Sequence, residues 1–182
     1  MNKPLLREKM RHLANALPRE YTQNASEKIT KHLLSLDAFK RAQKVFCFVG
    51  TENEIDTRAF LQAVLAENKT LCVPFCESFG VMHAKKITDL SELECGKYGI
   101  YSANKSAETI AASEIDFAVI PCLAASRNGD RLGYGGGFYD RYIPKMTAAD
   151  CLCVCRERLL SDEIISESHD IRVKILTEEG FL

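Results

Sequence analysis

The chain carries no excess charge of either sign. Its 24 Lys and Arg stand against 25 Asp and Glu, a formal net charge of −1 with a pI near 6.4. No broad field therefore draws it to nucleic acid or to an anionic membrane. Long apolar runs are missing as well. MNKPLLREKMRHL lacks the apolar stretch of a secretion signal, and no later segment has the length of a membrane span. We expect a cytoplasmic protein that binds neither nucleic acid nor membrane. Any anion it holds must be held by a local cluster of groups.

No C-x-x-C pair occurs among the eight cysteines. Without a secretory signal they are expected to be reduced, and those inside apolar runs such as VFCFV and CLCVC are expected to pack as small hydrophobes. Cys151, Cys153 and Cys155 would share one face of a strand, but a fourth ligand at zinc spacing is missing, so we read them as structural thiols rather than a metal site. Internal repeats, low-complexity stretches and linkers are absent too. One domain follows from 182 residues.

What is present reads as alternating helix and strand. Leu6, Met10, Leu13, Ala14 and Leu17 have helical spacing and stop at Pro18; Ala25, Ile29, Leu33 and Leu36 suggest a second helix. KVFCFVG is an apolar run closed by glycine, the pattern of a strand buried on both faces. A helix bearing Phe60, Leu61, Val64 and Leu65 follows, then the strand TLCVP, giving a βαβ unit and a parallel sheet. VMHAKKI, FAVIPCLA, CLCVC and RVKIL are further strands, the last expected late or at an edge. Residues 88–114 read as irregular or partly helical. The expectation is a single α/β domain with an open, mostly parallel sheet flanked by helices.

Five of the ten glycines fall within RNGDRLGYGGGFYDRY, residues 127–142. This segment follows the strand FAVIP and leads into the short helix GFYDRYI, so it lies where open parallel sheets bind ligands. Glycines let backbone N–H groups approach a phosphate, and a helix start adds unpaired donors. Arg131 could clamp phosphate oxygens and Asp140 could hold Mg²⁺, which together suggest a nucleoside triphosphate. The segment is not a P-loop, because no Gly-Lys-Ser/Thr closes it. Nor is it a dinucleotide fingerprint: Phe138 stands where the third glycine should follow Gly133 and Gly135. The competing reading is a glycine-rich turn with a solvated charged rim.

The run IDFAVIPCLAASRNGDRLGYGGGFYDRYI resembles the signature of the 5-formyltetrahydrofolate cyclo-ligase family. KPLLR, ENEIDT, LCVP, VMHAKKI and SHDIRVKILTEEG extend that resemblance along most of the chain. It implies an ATP- and Mg²⁺-dependent enzyme that converts 5-formyltetrahydrofolate to 5,10-methenyltetrahydrofolate, releasing ADP and phosphate through a phosphorylated formyl (iminophosphate) intermediate. It also implies a monomer. By the resemblance Lys3 and Arg7 meet ATP phosphates, and Arg131, Leu132, Gly133, Tyr134, Gly135, Gly136, Gly137, Phe138 and Tyr139 form the ATP loop. Arg131 and Tyr139 serve the chemistry, Asp140 and Asp170 hold Mg²⁺, and Val49, Glu54 and Tyr139 meet the folate. Among Glu52, Glu54 and Asp56, only the register of ENEIDT selects Glu54. Phe138 is expected to pack the helix down, and His169 to orient its loop.

The chain departs from the family pattern on the folate side and in its supports. Cys122 follows Pro121 where glycine is usual. Ala125-Ser126 replaces Phe-Asp, which removes a carboxylate beside the ATP site. A glutamine expected after the cysteine-rich strand is missing, with Arg158 and Leu159 in its neighbourhood. The alternative function is a divergent homologue that binds a nucleotide or another pterin-like ligand without closing a ring.

Overall fold

The computed structural model describes residues 2–51, 53–96 and 100–182. Glu52 lies outside the described residues. Helices α1 (Lys3–Asn15), α2 (Arg19–Ser35) and α3 (Asp37–Arg41) lead into strand β1 (Lys44–Cys47), and α4 (Arg58–Ala66) joins β1 to β2 (Thr70–Ser78). The hairpin partner β3 (Val81–Ile87) follows, then the short strands β4 (Leu93–Cys95), β5 (Tyr101–Ala103) and β6 (Thr109–Ile110). Next come β7 (Phe117–Pro121), β8 (Ala124–Ala125), β9 (Arg131–Leu132) and α5 (Phe138–Tyr142), and finally β10 (Asp150–Val154), β11 (Lys174–Thr177) and β12 (Gly180–Phe181).

Eight strands form one sheet in the order β12-β11-β10-β7-β1-β2-β3-β6. The five central strands β11, β10, β7, β1 and β2 are parallel, and β3, β6 and β12 add antiparallel margins. Alternation along the strands sorts the core into two layers. Phe46, Cys72, Ala118, Ile120, Cys153 and Ile175 face α1 through Leu6, Met10 and Ala14. Val45, Cys47, Leu71, Val73, Phe117, Val119 and Leu152 face α2, α3 and α4 through Ile29, Leu33, Phe39, Phe60 and Leu61. Phe39 packs 5.1 Å from Phe60 and 5.9 Å from Phe117, ring centre to ring centre. Its truncation to alanine would cost about 3–5 kcal/mol.

One expectation needs correction. Residues 88–114 hold no α-helix among the described residues; they carry the β4–β5 hairpin, the marginal strand β6 and two single 3₁₀ turns. These pieces are too short to leave a periodic signal. RVKIL is a late strand, as expected, over 174–177, and β12 pairs outside it. Cys47, Cys72, Cys153 and Cys155 are buried, whereas Cys76 and Cys95 are exposed, and all eight thiols are free.

The chain leaves β1 toward β2 on one side and leaves β7 toward β10 on the other, so the β1/β7 boundary is a topological switch point. Open α/β sheets bind ligands at the carboxyl ends of such strands. The loops after β1, β7 and β10 all emerge there.

Candidate active site

The first loop of the site follows β1. Gly50 donates its N–H to Thr57 Oγ1 (3.0 Å), and the Thr57 hydroxyl donates to the Phe48 carbonyl (2.9 Å), closing residues 50–57 into a compact loop. Inside it Glu54 forms a turn: its N–H reaches Thr51 O at 3.0 Å, and its Oε2 accepts the Thr51 N–H and hydroxyl, both at 2.8 Å. The carboxylate is thus fixed before any ligand arrives. Val49, just before the loop, is 4 % exposed and belongs to the core face.

After β7 the chain makes the β8–β9 hairpin and enters the glycine segment. Arg131, on β9, has only 3 % of its side chain exposed and donates Nη2 to Asp140 Oδ1 at 2.7 Å. The same carboxylate oxygen also accepts the Ile171 N–H at 3.4 Å. The side chain of Leu132 is buried in the core, so it can offer a ligand only backbone. Gly137 adopts φ +61° at the start of α5, where a Cβ would lie 2.7 Å from Arg141 Nη1. Arg141 in turn donates to the carbonyls of Gly136 and Gly137, each at 3.1 Å. Phe138 packs on the core as expected, its ring filling the space where a Gly136 side chain would sit.

Helix α1 brings its basic face to this segment. Asn2 caps it by accepting the Leu5 N–H at 3.1 Å, and the buried Leu6, Met10 and Ala14 fix its rotation. Arg7 Nε then donates to Gly133 O at 2.8 Å, and Arg11 Nη2 to Tyr134 O at 3.4 Å. Lys3 reaches further, to Glu167 Oε2 at 2.5 Å and Asp170 Oδ2 at 2.6 Å. Asp170 is held below its ordinary pKa: burial works against the charge, and Lys3 together with the Glu167 N–H outweighs it.

Tyr139 links the halves. Its ring packs against both core layers and lies 5.8 Å from the Arg131 guanidinium. Burial raises its phenol well above the ordinary range, and the Glu54 carboxylate adds to the rise. The Tyr134 hydroxyl is raised by the same two causes in the same order. Both phenols stay protonated and can donate hydrogen bonds beside Glu54. Glu54, Tyr134, Cys122, Cys155 and Arg156 line one small cleft.

Two groups of oxygens suit a hard cation, which prefers carboxylates. Asp140 is one. The other is Glu167, His169 and Asp170, whose ligand atoms lie within 4.8 Å of one another. His169 is exposed and stands 3.5 Å from Glu167 Oε2. Both carboxylates expected to hold Mg²⁺ pair with cations expected to hold phosphate, Asp140 with Arg131 and Asp170 with Lys3.

Several working residues gave no clear signal in the sequence. Arg11 contacts the Tyr134 carbonyl and Arg141 the Gly136 and Gly137 carbonyls, Glu167 shares Lys3, and Arg156 grips the Glu54 turn. The helical spacing Lys3, Arg7, Arg11 could have exposed one of them. Near Ser126 the carboxylate of Asp130 is buried, accepting the Ser126 hydroxyl at 3.2 Å on Oδ2 and Arg172 Nε at 2.7 Å on Oδ1.

An α/β sheet with cations, carboxylates and a glycine segment gathered around its switch point defines an enzyme. The particular family follows from comparison with known proteins. The model of the 5-formyltetrahydrofolate cyclo-ligase family matches residues 1–178, and the chain belongs to that family of ligases. The 5-formyltetrahydrofolate cyclo-ligase of Haemophilus influenzae is 26 % identical over 141 residues, covering 76 % of this chain and 75 % of its own. The NMR structure of Aquifex aeolicus 5,10-methenyltetrahydrofolate synthetase superposes with a TM-score of 0.87 at 28 % identity, over 100 % of this chain and 92 % of its own. A 5,10-methenyltetrahydrofolate synthetase from Mycoplasma pneumoniae shares the fold with a TM-score of 0.79 at 18 % identity, over 98 % of this chain and 99 % of its own.

Proposed function

We propose that the chain converts 5-formyltetrahydrofolate to 5,10-methenyltetrahydrofolate at the cost of ATP, releasing ADP and phosphate. The observation that carries the reading is the position of Tyr139, packed beside Arg131 and under the influence of Glu54. A folate held at Glu54 and a triphosphate held at Arg131 would meet across that ring.

Glu54 accepts the two N–H donors of the amino-pyrimidinone edge. Arg131, Arg7, Lys3 and the backbone of residues 133–137 take the phosphates. The formyl oxygen attacks the γ-phosphorus, the bond to the β-bridging oxygen breaks, and ADP departs. The second folate nitrogen then adds to the activated carbon and gives up its proton to the departing phosphate, which leaves as the ring closes. Phosphoryl transfer of this kind asks the protein for positioning and charge neutralisation. No side-chain base is needed at the first step. Asp140 and Asp170, with Glu167 near at hand, would hold Mg²⁺, which supplies neutralisation of phosphate charge. The enzyme works as a monomer in the cytoplasm. No helix among the described residues is long and apolar enough to cross a membrane.

The test is to mix purified protein with Mg-ATP and 5-formyltetrahydrofolate in acidic buffer and follow methenyl-folate absorbance. A rise that requires both protein and ATP, and is lost in Arg131→Ala, supports the reading. A flat trace from protein that still binds ATP would favour a nucleotide-binding homologue without ring closure.

A further inference from the structure

We propose that Arg156 is the positioning residue for Glu54, holding the folate-side loop through two backbone carbonyls. The inference rests on the folate reading of Glu54 given above.

Arg156 lies two residues past the end of β10 and is 3 % exposed. Its Nη1 donates to the Asn53 carbonyl at 2.8 Å and its Nη2 to the Glu54 carbonyl, so one guanidinium spans two successive peptide units of a loop about a hundred residues away. The turn hangs from β1 at its far end through Gly50, Thr57 and Phe48. Its apex hangs from β10 through Arg156. With both ends fixed, the Glu54 carboxylate has one place to be. A planar fork sets distance and angle together, which a lysine ammonium does not.

Arg158, in the neighbourhood where the family pattern carries glutamine, is turned elsewhere. Its guanidinium lies 4.3 Å from the centre of the Tyr21 ring and its backbone N–H meets the Tyr21 hydroxyl at 3.3 Å. Arg156 is the arginine of this segment that reaches the Glu54 turn. Burying a guanidinium is costly unless its donors are used. Here two of them are spent on carbonyls of the very loop that carries Glu54, and Arg156 lines the same cleft as Glu54 and Tyr134.

The experiment compares wild type, Arg156→Lys and Arg156→Gln after a melting curve has shown each to be folded. Steady-state rates give KM for 5-formyltetrahydrofolate and for Mg-ATP separately, and hydrogen exchange reads the amides of residues 51–57 without substrate. We expect Arg156→Gln to raise the folate KM about tenfold, to leave the ATP KM within about twofold, and to speed exchange in residues 51–57 alone. Arg156→Lys should recover part of the loss. In a Glu54→Gln background the same change should add little, because contacts acting through one group are not additive. If both KM values move together, or the loop amides exchange at the wild-type rate, Arg156 is a general packing residue and the proposal fails. Should wild type not turn over the folate at all, the functional reading falls, while hydrogen exchange still decides whether Arg156 holds the turn.

Discussion

Arg131 donates to Asp140 across 2.7 Å, and the two bracket the glycine segment, one before it and one after. Lys3 and Asp170 repeat the arrangement at 2.6 Å. Each pair joins a cation suited to phosphate with a carboxylate suited to Mg²⁺. On the proposed function, a magnesium–nucleotide complex carries both complementary charges and would enter by exchanging partners in both pairs. Free nucleotide or free metal would leave one member of each pair uncompensated in a partly buried place.

Mg²⁺ and ATP should therefore promote each other's binding. Calorimetry with ATP in chelator should show affinity at least about tenfold weaker than with Mg²⁺, a coupling of about 1.4 kcal/mol. Equal affinity in both buffers would rule out the exchange.

Arg131→Ala should lower turnover by on the order of 10²-fold, the scale for losing one preorganised charge stabiliser. Arg131→Lys should fall between, since an ammonium cannot hold phosphate bidentately. Asp140→Asn should instead raise the Mg²⁺ concentration for half-maximal rate. A magnesium titration that overlays wild type would take Asp140 out of the metal site.

Glu54→Gln should raise the folate KM about tenfold or more and leave the ATP KM in place, because an amide puts an N–H₂ donor where the carboxylate has its second acceptor oxygen. The readout is the ratio of the two constants. A variant in which ATP affinity changed and folate affinity did not would reverse the assignment of the loops.

Gly50→Ala should be among the most damaging single-methyl additions. Its Cβ would fall 2.0 Å from the Ile55 carbonyl oxygen, a backbone atom that cannot step aside without reopening the loop. A loss of about 1–3 kcal/mol is expected, seen as a lower denaturation midpoint together with weaker folate binding. An unchanged midpoint would mean the loop is not closed as described.

The Asp130–Arg172 contact gives a pH dependence. The Arg172 hydrogen bond, first among its causes, holds the Asp130 carboxyl below the ordinary carboxylate range. A depressed folded pKa adds stability that is present above the unfolded pKa and lost as pH falls through the folded one. Arg172 is well exposed, so the contribution amounts to no more than about 2–4 °C in Tm. The gap between wild type and Arg172→Met should be the same at pH 7 and at pH 5 and shrink in stronger acid as the carboxyl protonates. A gap that widens in acid would contradict the assignment.

Much of the fold was legible because its signals are local. VFCFV and FAVIP are apolar on consecutive positions, which only a strand covered on both faces requires, and both are central in the sheet. Leu6, Met10 and Ala14 repeat at helical spacing and form the buried stripe of α1. Residues 88–114 were not legible, since strands of two or three residues carry no period and depend on their partners for existence.

The glycine segment, Arg131 and Asp140 could be singled out because residue type and short-range order mark them, whereas Glu54 and the Lys3/Arg7 pair were selected only by the family resemblance. Partners could not be singled out. Nothing in the order of residues says that Arg156 reaches back about a hundred positions to the Glu54 turn, that Asp170 is met by Lys3 at the other end of the chain, or that Asp130 bonds to Ser126. Hydrogen bonds and ion pairs are set by distances in space, and those distances exist only once the sheet order has brought β1, β7 and β10 side by side. Sequence determined which chemical groups the protein has and which local elements carry them; the tertiary fold alone decided which group faces which.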